Sequence, residues 1–227
     1  QKKLTVMVEQ TRGKKLNFTK GKQLPQDSIK KILIRGTNWI GDAIMTLPAV
    51  ASIRATYPQA HIAILVKPWV ADIYRLFSAV DEVILYENKY DSPAGVFRLA
   101  RFLKEKKFDT AILLQNAIEA AIIALAAEIS LRAGYDSDAR GLLLTHSIRR
   151  TKEIRKVHQI HYYLEMVKAL GCVPVDPEMH LEVKINPEEA RDVLRKYVPE
   201  NRKILIGMAP GATYGAAKKW FPERFAE

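Results

Sequence analysis

Asp42 is the residue around which the chemistry of this sequence gathers. It follows Gly36 and Gly41, two glycines with four residues between them, and it lies just after the apolar run Ile32, Leu33, Ile34. A short apolar run that ends in glycine reads as a buried strand entering a loop. After Asp42 the apolar residues Ala43, Ile44, Leu47, Val50, Ala51 and Ile53 recur near helical spacing. The loop therefore joins a strand's C-terminal end to a helix N-terminus, the place where open α/β sheets bind their ligands. The glycine spacing matches the GxxxxGK[ST] phosphate loop, but Asp42 and Ala43 stand where that loop needs a lysine and a hydroxyl. Nucleotide phosphate would meet a negative charge here, and the GxGxxG pattern is absent. What remains is a carboxylate whose charged form a helix N-terminus favours, suited to accepting a proton. The plain alternative is a helix cap. Thr37, Asn38 and Trp39 share the loop and supply polar and aromatic contacts.

A second strand-to-glycine loop carries the opposite charge. Residues 204–208 read as an apolar strand, and APGATYGAAKKWFPERFAE follows. Gly211, Thr213 and Gly215 precede Lys218 and Lys219, so amides, a hydroxyl and ammonium groups can meet an anion. An ordinary strand-to-helix turn with solvated lysines would look the same. His146, His158 and His161 have no Cys or carboxylate at metal-ligand spacing and read as structural. Arg140, Arg149, Arg150, Arg155 and Lys156 form a basic run, which is either an anion-binding patch or a solvated face.

The elements that must position these groups alternate. Strands are expected at 31–35, 61–66, 82–86, 110–114 and 131–135, with helices near 42–56, 69–78, 94–106 and 117–128. Such alternation argues for a parallel sheet covered on both faces. Pro48 falls inside the first helix, where it should kink the helix without ending it. A further helix at 158–171 ends at Gly171. Asn186 then caps another, with Pro187 in its first turn. The expected organisation is a basic N-terminal extension (1–30), a Rossmann-like domain (31–173), a linker (174–186) and the start of a second Rossmann-like domain (187–227).

Composition narrows the classes. The 227 residues are 48% hydrophobic, enough to bury one core, and the longest apolar block, 120–127, reads as a buried helix because it is too short to cross a membrane. A single cysteine, Cys172, excludes an internal disulfide and suits a reducing compartment. The net charge of +11 is concentrated in the first 31 residues, which carry +7. A nucleic-acid-binding sheet would place that charge on its folded body, so nucleic acid is not the expected partner. The extension reads as a solvated tail.

Four blocks in order, RGTNWIGDAIMTLPAVASIRATYPQAHI, LLQNAIEAAIIALAAEISLRAGYDSDARGLLLTHSI, HYYLEMVKALG and PGATYGAAKKWFPERFAE, resemble glycosyltransferase family 9 over residues 31–227. The resemblance implies a GT-B fold, two Rossmann-like domains with the acceptor on the N-terminal side and an ADP-sugar on the C-terminal side. It implies transfer of L-glycero-D-manno-heptose from ADP-heptose to a heptose of the lipid A inner core, with inversion and without cofactor or metal, on the cytoplasmic side of the inner membrane. By the same resemblance Asp42 is the base and Lys218 the donor-phosphate contact, with Gly211, Thr213 and Lys219 beside it. Asn38, Trp39, Gly41, Asn116 and Arg140 would then face the acceptor. A late glycine, aspartate and histidine motif of the family does not occur, so these residues alone are expected neither to bind ADP-heptose tightly nor to turn over. Two other readings fit the residues: a family relative with a different acceptor, and a non-catalytic acceptor module held at an anionic membrane surface by its basic extension.

Overall fold

The computed structural model describes residues 17–178, 184–198, 206, 208, 211, 219 and 221–225. Residues 1–16, Thr213, Gly215, Lys218 and most of the expected strand at 204–208 lie outside the described residues. The chain divides into two compact units, Gln1–Lys184 and Ile185–Glu227.

The first unit is built on β1 (Phe18–Lys20), β2 (Lys31–Arg35), β3 (His61–Val66), β4 (Glu82–Leu85), β5 (Thr110–Leu113), β6 (Leu131–Tyr135) and β7 (His146–Ile148). They form one sheet in the order β1-β7-β6-β5-β2-β3-β4. Every pairing is parallel except that of β1 with β7. The six parallel strands thus follow the doubly wound order, which reverses direction between β2 and β5. Ligands bind at that reversal, beyond the strands' C-terminal ends.

Helices cover both faces. On one lie α1 (Ile40–Thr56), α2 (Ala71–Arg75) and α5 (Gln159–Ala169); on the other lie α3 (Pro93–Glu105) and α4 (Ile118–Ala126). The strands supply apolar residues to both sides: Ile32 and Ile34 pack with α1 and α5, and Leu33 packs with α3 and α4. Burial on both faces is why these strands are continuous apolar runs without polar alternation. α1 runs through Pro48 without interruption.

Two expectations need correction. Residues 18–30 are not a solvated tail, because β1 pairs with β7 and Leu24 and Ile29 are buried in the core. The apolar stretch at 120–127 is not a wholly buried helix, since α4 leaves Ile122 and Leu125 exposed.

In the second unit α6 (Pro187–Tyr197) is capped by Asn186, whose side chain accepts from the Glu188 amide at 3.0 Å. None of its side chains is buried.

Candidate active site

The loop after β2 is fixed from below by a buried charge. Arg35 donates to the carbonyls of Gly36 and Leu65 at 2.7 and 3.1 Å, and to Asn38 Oδ1 at 3.1 Å. Burial lowers its pKa to about 10, so it stays charged at neutral pH. Gly36 is glycine for steric reasons: a Cβ there would lie 2.6 Å from Val66 Cγ1. From β3 the next loop contributes Trp69, whose Nε1 donates to the Asn38 carbonyl at 2.7 Å. Asn38 is therefore held at both ends, which turns a flexible loop residue into a fixed one.

The helix that begins here places Asp42 in its first turn. Trp39 occupies the N-cap with extended backbone and no side-chain cap hydrogen bond. Asp42 sits three residues further on, so the capping reading fails. It is half-buried and makes no hydrogen bond or ion pair with another described residue. Two tyrosines feel its charge. Burial, then the Asp42 carboxylate, push the Tyr163 hydroxyl well above its ordinary range. Burial chiefly pushes Tyr74 up to about 12, and its hydroxyl lies 2.8 Å from Thr46 Oγ1. Thr37 Oγ1 is buried near Tyr74 yet outside hydrogen-bond geometry.

Across the sheet reversal, the loop after β5 meets the loop after β2, for Leu114 and Gln115 both donate their amides to the Arg35 carbonyl. Asn116 follows. Its Oδ1 accepts from Tyr162 Oη at 3.1 Å, Ser137 Oγ at 3.2 Å and Arg140 Nη2 at 3.3 Å. With the oxygen occupied by three donors, the amide NH2 is the group left for a ligand.

Arg140 corrects an expectation. It is fully buried, donates to the carbonyls of Tyr135 (2.7 Å), Leu113 (3.4 Å) and Gln115, and cannot touch an acceptor. It anchors the loop after β6, which contains two left-handed residues, Asp138 and Ala139. Arg150 is nearer the surface, its guanidinium 5.6 Å from the Tyr162 ring centroid and its Nε buried without a partner. Arg149, Arg155 and Lys156 are exposed. His158 accepts from the Ile160 amide and caps α5.

The first unit thus brings Asn38, Trp39, Gly41, Asp42 and Asn116 to one edge of the sheet, while Gly211 and Lys219 are exposed residues of the second unit. Arg35, Tyr74, Tyr162, Tyr163 and Trp69 escaped the sequence reading. Tyr162 and Tyr163 are both buried in the core, and nothing in their spacing separates them from ordinary core residues.

A chain of this sequence and strand order has known counterparts. Residues 96–227 match glycosyltransferase family 9 (heptosyltransferase), well over half of the chain. The chain belongs to glycosyltransferase family 9. Among family 9 relatives it is 27% identical to lipopolysaccharide heptosyltransferase 2 of Salmonella typhimurium over 204 residues, 87% of this chain and 58% of that protein. The heptosyltransferase 2 of Escherichia coli is 26% identical over the same coverage. In structure it is similar to the E. coli ADP-heptose lipopolysaccharide heptosyltransferase II, with TM-score 0.67 and 25% identity over 86% of this chain and 59% of that one. A family 9 protein from Veillonella parvula shares the fold, with TM-score 0.75 at 23% identity over 90% of this chain and 59% of that one. The chain spans less than three fifths of the length of the curated relatives named here.

Proposed function

We propose that the protein is an inverting heptosyltransferase that moves L-glycero-D-manno-heptose from ADP-heptose to a heptose of the lipid A inner core, at the cytoplasmic face of the inner membrane. The observation that carries this reading is Asp42, a half-buried carboxylate at the sheet reversal with no ion pair to another described residue. A sugar hydroxyl is a weak nucleophile, so a base must take its proton as it attacks. Asp42 is that base. The acceptor oxygen bonds to the anomeric carbon from the face opposite ADP, the carbon–oxygen bond to the β-phosphate breaks, and ADP leaves with the electron pair. Lys218, with Gly211, Thr213 and Lys219, stabilises that charge.

On the acceptor side Asn116 offers its NH2 group, and Asn38, Trp39 and Gly41 border the same edge. The similarity to lipopolysaccharide heptosyltransferases, one of them ADP-heptose-dependent by name, supports the donor and the acceptor class. In the full-length protein, Asp42→Asn should lower kcat by about 100- to 10,000-fold. Its melting temperature should scarcely move, since the carboxylate is only partly buried. Product mass after incubation with ADP-heptose and defined truncated cores reads the transfer directly. Retention of wild-type kcat by Asp42→Asn would overturn the assignment of the base; transfer of no heptose to any core would overturn the activity.

A further inference from the structure

Helices that are apolar all round belong in cores, and α4 is one of them, with Glu119 its single charged residue. Yet one side of it is bare: Ile118, Ile122 and Leu125 are each more than 40% exposed, at the spacing that stacks them along one stripe. Phe97 of the neighbouring α3 is 68% exposed. It shares a groove with Arg101, Lys104, Glu105, Ala126 and Glu128, so the outer face of α3 meets the C-terminal end of α4 there.

That surface has a charge sign. Residues 93–107 carry +4, and Arg98, Arg101, Lys104 and Lys107 are exposed. The nearby acids are largely engaged within the fold. Glu119 accepts the Tyr86 hydroxyl and Asp109 accepts the amides of Lys30 and Lys31, while Glu105 lies 3.8 Å from Arg101 and Glu128 pairs with Lys104; Arg98 and Lys107 are the exposed cations of this face that pair with no acid among the described residues. An apolar stripe beside exposed cations fits an anionic lipid surface, where the aliphatic and aromatic side chains enter the headgroup boundary and the cations meet lipid phosphate. A second copy of the chain fits worse, because a symmetric contact would set one row of cations against another.

We infer that the outer face of α3 and α4 is a docking surface for an anionic membrane. The face ends beside the candidate site, for Glu119 lies in the first turn of α4 and its partner Tyr86 stacks under the Arg35 guanidinium at 5.1 Å. A lipid-anchored ligand would reach the loop after β2 from the same bilayer that the helices touch. The inference does not need the transfer reaction, and its test measures none.

The experiment is co-sedimentation of the full-length protein with phosphatidylcholine vesicles, with and without one third phosphatidylglycerol, at low and high salt. Binding should require phosphatidylglycerol and weaken with salt. Ile122→Glu/Leu125→Glu, both at exposed positions, should weaken it at least 10-fold with an unchanged circular dichroism spectrum. Arg98→Gln/Arg101→Gln gives a second route should the first variant fold poorly, with a smaller loss confined to the anionic vesicles. Lys2→Gln/Lys3→Gln/Lys14→Gln/Lys15→Gln tests the basic N-terminal residues. The inference is overturned if the helix variants bind like the wild type, if only the N-terminal variant loses binding, or if the helix variants change the oligomeric state while vesicle binding stays the same.

Discussion

Asn116 and Arg140 show how one buried cation fixes the orientation of a neighbouring side-chain amide. The guanidinium satisfies carbonyls of Leu113, Gln115 and Tyr135 and turns the Asn116 oxygen toward itself. Replacing it with methionine leaves those acceptors without donors in the interior, each costing about 1–3 kcal/mol. Arg140→Met should therefore lower unfolding free energy by roughly 3 kcal/mol or more, read by urea denaturation. Gly41 supports a different test. A Cβ there meets nothing within 4 Å, and the position is helical, so Gly41→Ala should leave stability equal or slightly raised. If the acceptor approaches the backbone at Gly41, KM for acceptor should rise several-fold with the melt unchanged; an unchanged KM removes Gly41 from the site. That Asp42 and Asn116 follow the ends of β2 and β5 was legible in the sequence, because polar residues just beyond apolar runs stand out. Arg140 was visible only as part of a basic run, and nothing in such a run marks the one arginine that the fold swallows.

At the scale of elements, the five strands from β2 to β6 were legible as apolar runs, since parallel strands buried on both faces need no polar alternation. β1 and β7 were not, being three residues each, with Thr19 and Ser147 joined at 2.8 Å through their hydroxyls. No periodicity can be read in three residues, and the pairing exists only because the chain returns to that edge. The opposite edge is held by charge. Burial alone would push the Asp81 carboxyl up, but the Ile62 amide at 2.7 Å and the Arg54 guanidinium outweigh it and hold the group below its ordinary range. Glu82 is likewise held low against its burial, by Lys106 at 2.5 Å and His61 at 3.1 Å. A depressed carboxylate contributes stability above its unfolded pKa and loses it as pH falls through the folded value. Unfolding free energy should thus decline as pH drops below about 4, the ordinary carboxylate range. Asp81→Asn should flatten that decline while lowering stability at pH 7; a variant with the wild-type pH slope would show that the pair contributes nothing.

For the molecule as a whole, the division at Lys184 matters more than any one contact. Both apolar clusters lie within residues 24–172, and Asp42, the Asn116 loop and the tyrosines of α5 lie there too. α6 buries no side chain, so the first unit does not depend on it for its core. A polypeptide of residues 17–184 should fold by itself, with one cooperative thermal transition and a dispersed amide NMR spectrum. On the proposed division of labour it should bind a lipid A core saccharide within a few-fold of the full-length protein, and ADP-heptose at least 10-fold more weakly. Calorimetry with the two ligands separates the outcomes. Equal ADP-heptose affinity would place the donor site in the first unit and remove the role given to Lys218. A non-cooperative melt would mean that the two apolar clusters need the rest of the chain, and that the sheet is not the independent platform its strand order implies.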